Sequence, residues 1–133
     1  MVQSADDGQE ENGGRLDYDE AVLEVAALIP PGRVLSYGDI AELLGSGGPR
    51  QVGKAMSRSG SAVCWWRVLR ADGTLPVDLQ APAEVQWLAE GTPQRGSGVH
   101  MKAARWEPGE PEHLRIDDVA ARLPLPKRRT PLI

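Results

Sequence analysis

The 133-residue sequence predicts a mainly α-helical domain with a small β-hairpin, organised around two short helices joined by a glycine-rich turn. Three observations predict it. Apolar residues recur at helical spacing in three successive stretches, around Tyr18–Ile29, Ile40–Leu44 and Val52–Met56. Helix stops and starts separate those stretches: Pro30-Pro31-Gly32, Gly45 and Pro49. An Asp-Gly turn dipeptide, Asp72-Gly73, divides an extended run from a short return.

In chain order, residues 1–14 are acidic and glycine-containing and are expected to be disordered. In the first helix Tyr18, Ala21, Val22, Val25, Leu28 and Ile29 fall on one stripe. "RVLSY" gives a short extended piece. Ser36 then caps a second helix, with Asp39 three residues on completing a capping-box pattern and Gly45 ending it. Gly47 and Gly48 make the turn, and Pro49 suits the first position of a third helix. Val52, Ala55 and Met56 form its apolar stripe, which leaves Arg50, Gln51, Gly53, Lys54 and Ser57 toward solvent. Two short helices joined this way, the second carrying bases, resemble a helix-turn-helix.

"VCWWRVLRADGTLP" reads as a strand, a turn over 71–74 and a return. A helix is expected from about Pro82 to Glu90 with Val85, Leu88 and Ala89 inward, and "GVHMKAARW" as a last strand. Trp87 and Trp106 are read as packing residues. The amphipathic piece "EPEHLRIDDVAARL" places Leu114, Ile116, Val119 and Leu123 together, before a basic, proline-rich end. The expected division is 1–14 tail, 15–106 domain and 107–133 extension.

Composition narrows the function classes. The single cysteine, Cys64, cannot form an internal disulfide, which points to a reducing cytoplasm. No apolar run approaches the roughly 20 residues of a membrane helix, and the N-terminus lacks signal-peptide character. One cysteine and two separated histidines make no standard zinc set, so no metal and no cofactor are expected. A monomer is expected, because no heptad or exposed apolar stripe is evident. The net charge of -4 hides a local pattern. Pro49 to Arg70 carries Arg50, Lys54, Arg58, Arg67 and Arg70 with no acid, a solvated face or a nucleic-acid contact.

Four ordered segments carry a resemblance. "GRVLSYGDIAELLG", "PRQVGKAM", "WWRVLRADGTL" and "VQWLAEG" resemble the DNA-binding domain of the O6-alkylguanine-DNA alkyltransferase family. The second resembles its A/P-R-x-V-G-x-A-M/L recognition helix, and the third its C-H-R-V box. Coverage runs from about Tyr18 to Trp106. The resemblance implies a winged helix-turn-helix-like alkyltransferase C-terminal domain. With the box registered on Arg67-Val68, the family's histidine falls on Trp66 and its cysteine nucleophile on Trp65. This is similar to the alkyltransferase-like branch, which binds alkylated DNA without dealkylating it. Most of that branch keeps P-W-H-R-V; here Cys64 and Trp66 depart from that form. On a strand, Cys64 would face away from the pocket that Trp65 lines, and no histidine is near in sequence to activate it.

The resemblance implies minor-groove binding to duplex DNA and flipping of an O6-alkylguanine into a pocket built by Tyr37, Trp65, Trp66 and Val68. Arg50 matches the arginine finger that fills the vacated stack, and the small Gly53 and Ala55 would permit close approach. Tyr37 matches the residue that rotates the nucleotide. Ser36, Pro49, Gln51, Gly53, Lys54 and Arg58 are the remaining candidate DNA-binding positions, with Ser36 more a cap than a contact and Gln51 and Lys54 along the phosphates. Ser59 only loosely replaces the family's hinge asparagine. Trp66 is either core filler or a residue shaping the pocket from behind. Arg67 is either a core-edge ion pair or a phosphate contact, the former preferred. The resemblance further implies hand-over to nucleotide excision repair proteins of the UvrA type. A dealkylating enzyme using Cys64, or a winged-helix regulator of intact promoters, are the alternatives.

Overall fold

The computed structural model describes residues 14–124. Residues 1–13 of the expected 1–14 tail, and residues 125–133 of the basic end, lie outside the described residues. Six α-helices and two two-stranded sheets make up the rest. We label the helices α1 (Tyr18–Ala26), α2 (Tyr37–Leu44), α3 (Pro49–Ser59), α4 (Val77–Glu90), α5 (Met101–Ala104) and α6 (Glu110–Ala121). The strands are β1 (Leu35–Ser36), β2 (Val68–Leu69), β3 (Gln94–Arg95) and β4 (Gly98–Val99).

The first half follows its sequence signals closely. Asp17 and Glu20 close a capping box on α1, and Ser36 and Asp39 close another on α2. Gly45 ends α2 in the left-handed conformation. In the turn to α3, Gly47 has φ +73, and a Cβ there would collide with the Tyr18 hydroxyl, which itself donates to the Ser46 carbonyl at 2.7 Å. Glycine is therefore required at 47 both by the backbone and by the close approach of α1.

Two apolar clusters form, and the β1–β2 pair separates them. The strands run parallel, with Leu35 opposite Val68 and Ser36 opposite Leu69. Successive strand residues point to opposite faces. Leu35 and Val68 accordingly enter the larger cluster with α1, α2, α3 and α6, while Val34 and Leu69 enter the smaller one with Leu75, Ala83, Trp87, Val99, Met101 and Ala104. Trp106 closes the larger cluster, and Trp87 is fully buried in the smaller, so both are packing residues.

The second half departs from expectation in several respects. "VCWW" is not a strand: a 3-10 turn over Gly60–Ala62 precedes another over Trp65–Arg67, and only Val68–Leu69 is extended. The expected return strand after the Asp-Gly turn is absent; the turn forms, with Gly73 at φ +85, but its carbonyl accepts from Val99 N at 2.9 Å. The antiparallel hairpin lies instead at β3–β4. "GVHMKAARW" divides into β4, the short α5 and a parallel bridge of Arg105 to Val34. Helix α4 starts five residues before Pro82, which occupies an exposed interior position. Val85 and Leu88 face solvent at 65% and 76% exposure, Ala89 is exposed too, and Ala83 and Trp87 are buried. α4 carries apolar residues on every side, interleaved with polar ones, so periodicity could not choose its inner face; the largest side chain, Trp87, does. Leu114 is also exposed, because Ile116, Val119, Ala120 and Leu123 share the helical stripe of α6 and residue 114 is two positions off it.

The exposed Val77, Val85 and Leu88 also remove one premise of the monomer expectation, that no apolar stripe reaches the surface.

Candidate nucleic-acid interface

The site begins with backbone pairing. Because β1 and β2 run parallel, with Ser36 opposite Leu69, α2 leaves β1 beside the end of β2 and Tyr37 lies near Arg70, while Trp65, from the turn before β2, reaches the same cavity. α3 packs across α2, and a Cβ at Gly53 would meet the Tyr37 ring at 3.4 Å. A cavity of about 490 Å³ opens between them. Tyr37, Gly53, Trp65 and Val68 line it, together with Met56, Ser57, Gly60 and Ser61 from the end of α3 and Leu75, Pro76, Asp78 and Leu79 from the start of α4. Its size falls in the range typical of small-ligand sites, ample for one flipped purine. Half-burial raises the Tyr37 hydroxyl above its ordinary pKa, so that hydroxyl is a neutral hydrogen-bond donor across the physiological range.

Around the mouth, α3 presents its charges. Arg50, Gln51, Lys54 and Ser57 are exposed, as expected, and neither Arg50 nor Lys54 has an ion-pair partner among the described residues. Pro49 is the first residue of α3 and Ser36 is the buried cap of α2, whose hydroxyl accepts from Asp39 N. Gln51 Oε1 accepts from Gly48 N at 3.1 Å, so only its NH₂ group remains for an outside acceptor. Arg58 is engaged in a two-point ion pair with Asp19, both contacts at 2.9 Å. Ala55 is fully buried in the core and cannot serve close approach from outside, whereas Gly53 can.

Trp66 resolves toward the back of the site. It does not line the cavity; it packs on the smaller cluster, and its ring meets Trp65 edge-to-face at 5.5 Å and 84°. Its Nε1 donates to Glu90 at 2.9 Å. Arg67 takes the preferred ion-pair role: Nη2 lies 2.6 Å from Glu90 Oε2, and Nη1 donates to the Ile29 carbonyl. Burial works to raise the Glu90 carboxyl, but hydrogen bonds from Arg67, Trp66 and Gly32 outweigh it and hold it below its ordinary value. Glu90 itself was not among the expected site residues, although it stands in "AEG", the last of the four motif segments.

Cys64 precedes the Trp65 turn, is half-buried and does not line the cavity, nor does either histidine. The expected reason, alternation along a strand, does not hold, since the segment is a 3-10 turn. No group of three or more metal-ligating side chains occurs among the described residues.

Residues 17–91 match the family model of the 6-O-methylguanine DNA methyltransferase, DNA binding domain. The chain belongs to that family. The match spans α1 through α4 and contains every cavity-lining residue. Relatives named DNA base-flipping protein share the likeness. The Escherichia coli one is 39% identical over 106 residues, covering 74% of this chain and 81% of its own. The Vibrio parahaemolyticus one is 31% identical over 100 residues, covering 68% and 99%. Among solved structures, S. pombe Atl1 in complex with damaged DNA containing O6-carboxymethylguanine superposes with TM-score 0.59 at 26% identity, covering 68% of this chain and 94% of that one. A second S. pombe ATL complex with DNA gives 0.58 at 28% identity, covering 68% and 95%. The alkyltransferase-like fold is therefore shared across the family's domain, and α5 and α6 lie beyond the matched segment.

Proposed function

We propose that this protein is a non-enzymatic sensor of O6-alkylguanine in duplex DNA. One observation carries the reading: Trp65 and Tyr37 face a cavity at the foot of a basic helix, and no cysteine or histidine lines that cavity. The exposed face of α3 enters the minor groove, with Lys54 and the Gln51 amide on phosphates and Arg50 in the base stack. The nucleotide rotates past Tyr37 into the cavity, and Gly53 leaves room for the passage. There the indole of Trp65 abuts the base, a contact worth about 1–3 kcal/mol per stacked base. Without a thiolate in reach the alkyl group stays on the guanine, so the complex persists and marks the site. The marked site is then handed to nucleotide excision repair in the cytoplasm, with the protein acting as a monomer. The structures of S. pombe Atl1 on damaged DNA, and relatives named for base flipping, support the reading.

The test is duplex binding with and without one O6-methylguanine, for wild type and Trp65→Ala at one fixed salt concentration, followed by assay of the lesion. Lesion-selective binding that weakens in Trp65→Ala, with the methyl group still on DNA, is the expected result. Transfer of the methyl group to protein would make Cys64 a live nucleophile. Equal affinity for both duplexes would favour a promoter-binding regulator.

A further inference from the structure

The Trp65–Arg67 turn is too short to hold itself. Within it and its caps, Arg67 N donates to the Cys64 carbonyl and Val68 N to the Trp65 carbonyl, and a three-residue 3-10 turn has poor hydrogen-bond geometry. Yet this turn supplies a wall of the cavity. What fixes it comes from α4. Trp87 and Glu90 lie three residues apart, one helical turn, on the inward face. Trp87 Nε1 donates to the Trp66 carbonyl at 2.7 Å. The Glu90 carboxylate accepts from Trp66 Nε1 at 2.9 Å, Arg67 Nε at 3.1 Å, Arg67 Nη2 at 2.6 Å and Gly32 N at 3.1 Å. One carboxylate thus ties the turn to the loop that opens into β1 and, through it, to α2.

We propose that Glu90 and Trp87 are positioning residues for recognition of the flipped base, acting on Trp65 through Trp66. Trp66 is pinned at both its backbone carbonyl and its indole N–H, and its ring meets Trp65 edge-to-face. A pinned neighbour restricts the rotation of Trp65 before any base arrives. Preorganised walls spend less of the binding energy on ordering. The inference rests on the sensor reading above, because it concerns lesion selectivity. It makes a separable claim: contacts outside the cavity set that selectivity, while binding to unmodified duplex, made by the α3 face, does not depend on them.

The experiment compares wild type, Trp65→Ala, Trp66→Phe and Glu90→Gln on duplexes with and without one O6-methylguanine, well below each variant's melting temperature. Trp66→Phe keeps an aromatic ring and deletes the N–H; Glu90→Gln keeps an acceptor oxygen and deletes the charge. Each is expected to lower the ratio of lesion to unmodified affinity by between about twofold and tenfold, the range of one lost hydrogen bond, with unmodified-duplex affinity unchanged. Variants that melt lower but keep the wild-type ratio would show that Glu90 only stabilises the fold, and would overturn the proposal. So would equal losses on both duplexes. Absence of any lesion preference in wild type would instead remove the sensor reading itself, a result distinguishable because Trp65→Ala would then also change nothing.

Discussion

Gly53→Ala separates stability from recognition in one substitution. Gly53 is the fifth of eleven residues in α3, a helix interior, where alanine is favoured over glycine by about 0.8–1.0 kcal/mol. The added Cβ would meet the Tyr37 ring at 3.4, 3.5 and 3.9 Å. Only the first is at the edge of ordinary contact, and the ring can yield by a few tenths of an ångström toward the open cavity. The helix term therefore wins, and the domain gains about 1 kcal/mol, raising its melting temperature by roughly 4 °C. The same methyl group stands on the cavity wall beside Tyr37, where it narrows the passage for a nucleotide. Lesion-duplex affinity is expected to fall at least fivefold, in titrations run beside thermal melts of the same preparations. A lower melting temperature would refute the packing described between α2 and α3. A higher one with unchanged lesion affinity would refute Gly53 as part of the entrance.

Other outcomes follow from single contacts. The Glu90 carboxyl is held low in the folded protein, so its pairing adds stability that is complete above the ordinary glutamate range and is lost as pH falls through that range and then through the lowered folded-state pKa. Melts across that window should show Glu90→Gln losing less stability on acidification than wild type; parallel curves would contradict the depressed pKa. Arg67→Met leaves a nearly buried carboxylate without its cation, and chemical denaturation at neutral pH should register a loss of about 3 kcal/mol. Gly73→Ala must adopt φ +85 and place its Cβ against the Val99 backbone, which cannot swing aside. The left-handed conformation alone costs about 1–2 kcal/mol, and the collision adds to it, so a loss below 1 kcal/mol in the same assay would rule out the close approach of turn and hairpin.

The legible parts of the fold were those whose signals are local. Capping boxes at Asp17 and Ser36, the left-handed Gly45 and the N-terminal Pro49 each act within one helical turn, and each stands where the sequence places it. The illegible parts depend on partners distant in sequence. β2 is two residues long because its partner strand, Leu35–Ser36, offers two, and a run of apolar residues does not reveal that limit. α4 carries apolar residues on all sides, so only the burial of Trp87 under the Trp66 carbonyl selects its inner face. In the site, the motif resemblance placed Tyr37, Gly53, Trp65 and Val68, all of which line the cavity. It missed Glu90, whose role depends on Trp66 and Arg67 turning toward it within a 3-10 turn that alternation would have read as a strand.

Charge gives the clearest case of sequence and structure dividing the work. The acid-free stretch from Pro49 to Arg70 carries five bases, and charge alone would let a phosphate backbone meet all five, although the motif reading already prefers an ion pair for Arg67. Two are already engaged within the molecule: Arg58 by Asp19 and Arg67 by Glu90. The Arg67 pair is nearly buried, at 13% and 12% exposure, and that guanidinium cannot turn to solvent without leaving Glu90 uncompensated. Arg50, Lys54 and Arg70 remain exposed. Each neutralised phosphate contributes about 0.9 to the slope of log affinity against log salt. Five contacts would give a slope of about −4.5 and three about −2.7. The structure favours the shallower value on unmodified duplex, with Lys54→Ala reducing it by about 0.9 and Arg58→Ala leaving it unchanged. An Arg58→Ala slope as shallow as that of Lys54→Ala would mean that Asp19 surrenders its partner to DNA, and that the α1–α3 ion pair opens on binding.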